Sequence, residues 1–413
     1  MNKSIFIHSF KSLFVCIVAF LPLITHAQAT TEPSTVVLYG VIDLGISSVH
    51  VSQGASSKNP AFNKNQIQMD SGVQSGSRWG LKGFHSINED LAVKFVLESG
   101  IIAQTGSADQ GGRAFGRQST LGLTSKNYGE TDWGRQINAA SRYFGSIDPF
   151  ELSFGQANMG ASFGQANTLR YDNMIMLQST DYAGFQGMLG YSFNVGQSAI
   201  YADGPNVNIQ PATDNFGTLN NARAFTAGMR YMVDKLIVVA TFDAAFGSQQ
   251  VRSITDSSVN IDNPNAPIPK VWALGAKYDL GYMQVSAAVG QGFNGAFSGQ
   301  GPGNGLSNSG LSTFTGGSDI LFQSGYDYQS FMLGGAVPLS NDSNLMFSWQ
   351  IMQPRGQIGQ MAGYASQSVL GTAYTYNLSQ RTNLYFWGSV ANNFQMVSSA
   401  KSQAIGAGIR HLF

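Results

Sequence analysis

The residues of this 413-residue chain whose types could do chemistry are few and scattered. A nucleophile and its base would need a serine beside a histidine in one loop or strand mouth. Ser47 and Ser48 near His50 offer that locally, at the start of a polar segment, so an enzyme is the weak alternative. Metal binding is served no better. His8 and His26 lie in an N-terminal segment expected to be removed, leaving His50, His85 and His411 far apart with no cysteine to help. Residues 299–305 (GQGPGNG) have glycines spaced as in a phosphate-cradling loop. They lack the strand, helix and downstream acid that a dinucleotide site requires, so no cofactor is expected. Residues 77–84 (SRWGLKGF) say more: Arg78, Gly80 and Lys82 share one parity, and Trp79, Leu81 and Gly83 the other. A strand with cations on one face and apolar groups on the other is half-buried. The chemistry open to it is electrostatic.

Composition narrows the setting for such a strand. Hydrophobic residues make up 43% of the chain but charged ones only 11%, against about 25% in ordinary soluble domains. Lys plus Arg equals Asp plus Glu at 23 each, without the basic excess of a nucleic-acid binder, so no nucleic-acid partner is expected. Beyond the N-terminus no apolar run approaches the ~18 residues of a membrane helix. Lys3, Lys11, the apolar residues 13–24 and Thr25-His26-Ala27 read as a secretory signal peptide over residues 1–27, with an alternative cut after Ala29. Cys16 would leave with it, and residues 28–413 would form one exported unit held by hydrogen bonding and burial without disulfides.

From Val36 onward, segments of about ten alternating residues recur. They are centred on 36–47, 77–84, 92–102, 116–124, 131–137, 168–177, 185–193 and 225–233. The series continues with 236–246, 271–278, 282–289, 331–337, 344–352, 369–376, 383–390 and 404–413. Short breaks such as 85–90, 234–235, 279–281 and 378–382 alternate with long polar ones at 51–74, 138–167, 194–224, 247–270 and 290–330. A meander that is short at one end and long at the other predicts an all-β, 16-stranded antiparallel transmembrane barrel. Its apolar parity would face outer-membrane lipid, with aromatics near strand ends at Tyr39, Trp79, Trp133, Tyr191, Tyr278, Tyr376 and Trp387.

Six short motifs, in order, then resemble the general porins of Gram-negative bacteria in their β-proteobacterial form. They are VLYGVIDLG (37–45), GSRWGLKG (76–83), LESG (97–100), GRQ (116–118), GRQ (134–136) and GIRHLF (408–413). The resemblance implies a homotrimer in the outer membrane, passing ions and small hydrophilic solutes by passive diffusion; a substrate-selective channel is the alternative. It implies that the third external loop, residues 138–167, folds into the barrel and narrows the pore. Asp148 and Glu151 would then face wall arginines Arg78, Arg117 and Arg170, with Lys82 and Arg135 as further possible lining. It also implies that Phe413 is read by the barrel assembly machinery. The loop's second half departs from the family, being rich in Gly, Ala and Asn with a near-repeat, FGQAN, at 154–158 and 163–167.

Overall fold

The computed structural model describes residues 34–55, 61–196, 199–201, 208–209, 221–248, 250–252, 260–262, 265–297 and 320–413. The expected signal peptide, its alternative cut and the 299–305 segment lie outside them.

Period-two alternation resolves into a closed antiparallel barrel of 16 strands. Strand β1 (Thr35–Gln53) is followed by β2, which comes in two segments, Phe62–Ser71 and Arg78–Ser86. Then come β3 (Leu91–Ile102), β4 (Gln118–Ser125), β5 (Gly129–Ile137), β6 (Arg170–Gln178) and β7 (Phe185–Ser192). Next are β8 (Arg223–Val233), β9 (Leu236–Phe246), β10 (Lys270–Asp279) and β11 (Gln284–Phe293). The series ends with β12 (Asp327–Ser340), β13 (Ser343–Arg355), β14 (Gln367–Asn377), β15 (Thr382–Asn392) and β16 (Lys401–Leu412). Strand β16 returns to pair with β1, from Val41 opposite Leu412 to Ser52 opposite Lys401. Closure pairs the backbone that an open edge would leave bare in lipid.

The two faces differ as the alternation requires. Ile46, Leu121, Leu189, Leu333, Phe386 and Ile405 are exposed on the outside, while Asp43, Ser47, Gln350 and Ser402 are buried on the inside. No helix among the described residues is long and apolar enough to cross a membrane; the strands do so.

Three expectations change. Residues 51–74 are not simply a loop, because β1 runs to Gln53 and residues 62–71 pair back onto it. Tyr39 and Trp387 point inward rather than to the lipid boundary. Tyr39 lies over Gly80 and Trp387 against Gly406, glycines that leave the space an aromatic ring needs. Trp79, Trp133, Tyr278 and Tyr376 do stand exposed outside.

The connection from β5 to β6 enters the barrel. It opens with α1 (Ala139–Phe144), capped by Asn138, whose side chain accepts from Ser141 N–H. The two FGQAN copies become matching 3-10 turns, Gly155–Ala157 and Gly164–Ala166, each preceded by a buried phenylalanine. Phe144, Ile147, Phe150, Phe154, Met159 and Phe163 are essentially fully buried. Each is worth about 1.5–3 kcal/mol over an exposed side chain. Glycines on the inner wall make room for the loop. Tyr143 covers Gly228, Phe144 covers Gly275, Phe163 covers Gly290, Pro149 covers Gly334 and Ala157 covers Gly371. Polar side chains of the wall fasten it as well: Asp243 Oδ1 accepts from Asn138 Nδ2 at 2.8 Å, and Gln350 and Gln367 donate to Ala157 O and Ala161 O at 2.9 and 3.0 Å. The loop therefore lines β8 to β14.

Candidate pore constriction

Most of the charged side chains described below lie on β1 to β6, outside that wall. Arg78 opens the second segment of β2; its Nε lies 3.4 Å from Glu98 Oε2 on β3, and its Nη1 donates to Gly76 O at 2.9 Å. Arg117, just before β4, donates from Nε to the other oxygen, Glu98 Oε1, at 2.7 Å. Tyr39 donates its hydroxyl to Glu98 Oε2 at 2.9 Å. Arg170 begins β6 and donates from Nε to Arg117 O and from Nη1 to Thr168 O, both at 3.0 Å. Arg78, Arg117 and Arg170 thus come together across β2, β3, β4 and β6.

Arg135 lies beside them but is more fully engaged. Its Nη1 donates to Asp172 Oδ1 at 2.6 Å and its Nε to Gly116 O at 2.7 Å. Arg113 grips the same Asp172 at 2.7 Å. Lys82 stands exposed, with its ammonium 5.4 Å from the centre of the Tyr39 ring. On β16, Arg410 lies within electrostatic reach of Arg78 and Asp43 and donates to Asn383 Oδ1 at 3.1 Å.

The two loop acids take different positions. Asp148 is buried and turned into its own loop, where Oδ2 accepts from Leu152 N–H at 2.8 Å and Oδ1 from Met159 N–H at 3.3 Å. Burial pushes its carboxyl up to about 7, against the pull of these backbone donors. Glu151 is exposed at a left-handed backbone position, φ 53°.

Sequence reasoning missed Glu98, Tyr39, Asp43, Asp172 and Arg410. The signal for Glu98 was available: it lies in the LESG motif, and its register partner Gly80 shares Arg78's parity. Arg410 alternates with Ile405 and Ile409 and so had to face inward. Counted together, Arg78, Arg113, Arg117, Arg135, Arg170 and Arg410 face Asp43, Asp70, Asp109, Glu98 and Asp172, an excess of one cation.

The Gram-negative porin family matches residues 14–393 of the sequence. The chain belongs to that family. An outer membrane porin protein of Bordetella pertussis is 39% identical over 393 residues, covering 94% of this chain and 96% of its own. Among solved structures, the anion-selective porin from Comamonas acidovorans shares the fold with a TM-score of 0.63 at 20% identity, covering 92% of this chain and 100% of its own. The trimer form of OmpT, an outer membrane protein of Vibrio cholerae, matches at 0.59 and 13% identity, with the same coverage. As a porin, the chain is an outer-membrane channel for passive diffusion.

Proposed function

We propose that this porin is a homotrimer whose constriction prefers anions. The observation that carries this is the gathering of Arg78, Arg117 and Arg170 around the single carboxylate of Glu98, with Arg410 nearby. Cations lining a narrow aqueous gap lower the energy of an anion there and raise that of a cation. Asp43 offsets part of this, and Asp148, whose carboxyl burial raises to about 7, adds only a partial negative charge at neutral pH. Glu151 would be the loop acid that water reaches. Lys82 and Arg135 would contribute more weakly, Lys82 from its own exposed position and Arg135 through its pairing with Asp172.

In this reading the protein is a channel and carries out no reaction. Residues 1–27 would be cleaved on export, residues 28–413 would be the mature barrel, and Phe413 would engage the barrel assembly machinery. Reversal potentials in a planar bilayer under a salt gradient test the selectivity: anion preference is expected, and Arg78→Ala or Arg117→Ala should shift it towards cations. A wild-type channel with cation preference would overturn the reading. Triple conductance steps are expected from the trimer.

A further inference from the structure

Strand β2 is interrupted by far more than a bulge. Val41 pairs with Arg78 and Leu44 with Ser71, so six residues, 72–77 (GVQSGS), stand opposite only Ile42 and Asp43, with Gly72 and Ser77 still bonded to the neighbouring strands at either end. An ordinary bulge inserts one extra residue; here four are inserted, and the excursion turns towards the lumen.

Asp43 anchors the excursion with its whole set of polar atoms. Its carbonyl oxygen accepts from Gly72 N–H at 2.9 Å and from the Ser77 hydroxyl at 3.0 Å, while its own N–H donates to Ser77 Oγ at 3.1 Å. Its Oδ2 accepts from Gln74 and Ser75 N–H at 2.8 and 2.6 Å, and its Oδ1 from the Tyr385 hydroxyl at 2.7 Å.

The excursion meets the inward loop on one side. Phe154 N–H donates to Val73 O at 2.7 Å, and the Phe154 ring stands edge-on to Tyr385 at 5.6 Å. On the other side it meets the arginines. Gly76 O holds Arg78, and the Arg117 guanidinium occupies the space where a Cβ on Gly76 would stand, 2.5 Å away. Gln74 Oε1 accepts from Asn383 Nδ2 at 2.6 Å, and Asn383 in turn holds Arg410.

We propose that residues 72–77 form a second jaw of the constriction, joined to the inward loop on one side and to the arginines on the other, and that Asp43 is the positioning residue that sets both the aperture and the presentation of Arg78 and Arg117. The aperture follows from the geometry of the jaw alone; the effect on ion preference rests on the anion reading above.

Three variants of the full-length protein, compared in bilayers, test this. Asp43→Ala removes the acceptors for Gln74 and Ser75, so the jaw should loosen, with larger conductance and weaker anion preference. Asp43→Asn can still accept from those amides and donate to Tyr385, so it should keep the wild-type conductance, with an anion preference at least as strong as that of the wild type. A mere loss of negative charge would instead strengthen anion preference in both, and equal behaviour of the two variants would overturn the proposal. Gly76→Ala leaves Asp43 untouched but displaces the Arg117 guanidinium; it should change the reversal potential in a barrel that still shows heat-modifiable migration. A wild-type reversal potential in that variant would also count against the jaw, and it remains decisive if Asp43→Ala fails to assemble. Cation preference in the wild type would defeat only the selectivity reading, leaving the comparison of conductance between Asp43→Ala and Asp43→Asn intact.

Discussion

Arg117 Nε lies 2.7 Å from Glu98 Oε1, while Arg78 approaches the other oxygen of the same carboxylate at 3.4 Å. One acid therefore moderates two of the cations proposed to set ion preference. Glu98→Gln should strengthen anion preference. A unit charge acting over ~5 Å at an effective dielectric of 40–80 is worth about 1 kcal/mol, with opposite sign for an anion and a cation, or roughly a 30-fold change in the anion-to-cation permeability ratio. Reversal potentials measured across a tenfold salt gradient check this, and an unchanged ratio would remove Glu98 from the ion path.

The inward loop depends on glycines that look unremarkable in the sequence. At Gly371 a Cβ would stand 2.6–3.0 Å from the Cβ, Cα and carbonyl oxygen of Ala157, so backbone as well as side chain would have to move. Gly371→Val should push the 3-10 turn Gly155–Ala157 off the wall and weaken the Ser348 and Gln350 hydrogen bonds to Ala157 O. Overpacking of this kind costs about 1–3 kcal/mol. The expected result is a folded barrel with noisier conductance and faster proteolysis within residues 145–158.

The barrel was legible because a strand with lipid on one side and water on the other must alternate. Leu236–Phe246 is the same in the sequence reading and the structure, and most other strands differ only at their ends. Arg78 was legible for the same reason, since it shares a segment with Trp79. What stayed hidden depends on side chains meeting across strands. Gly228 and Gly275 have meaning only once Tyr143 and Phe144 lie over them, and Tyr39 reads as a boundary aromatic until Glu98 is seen beneath it. The FGQAN repeat was visible but mute: only in the folded loop do Phe154 and Phe163 each bury a ring ahead of the same 3-10 turn. Asp43 lies within the VLYGVIDLG motif, yet nothing local shows that residues 72–77 return to it.

The state of Asp148 makes the docking of the loop depend on pH. Its carboxyl lies near 7, raised by burial and, more weakly, by the charge of Glu151, whereas an exposed aspartate titrates near ~4. A raised carboxyl binds its proton more tightly in the docked loop than in a released one. Its contribution to docking is thus fully present below about pH 4 and is lost as pH rises through about 7. Loop mobility, read as transient closures in single-channel traces, should increase between pH 5 and pH 8. Asp148→Asn cannot ionise and should flatten that dependence; a variant with the wild-type profile would place the titrating group elsewhere.

Phe413 closes the barrel as well as ending the chain. Its N–H donates to Gly40 O and its carbonyl accepts from Gly40 N–H, both at 3.1 Å, while its ring fills the space where a Cβ on Gly40 would stand. Sealing of the seam between β16 and β1 is therefore a role separable from the recognition during assembly proposed above. Phe413→Ala removes both and should lower the yield of heat-modifiable barrel in cells. Gly40→Leu expels the ring but leaves the terminal residue in place. If recognition dominates, Gly40→Leu should assemble at close to wild-type yield and show only a lower melting point on the gel. If sealing dominates, the two variants should fail alike, and the proposed engagement of Phe413 by the assembly machinery would lose its support.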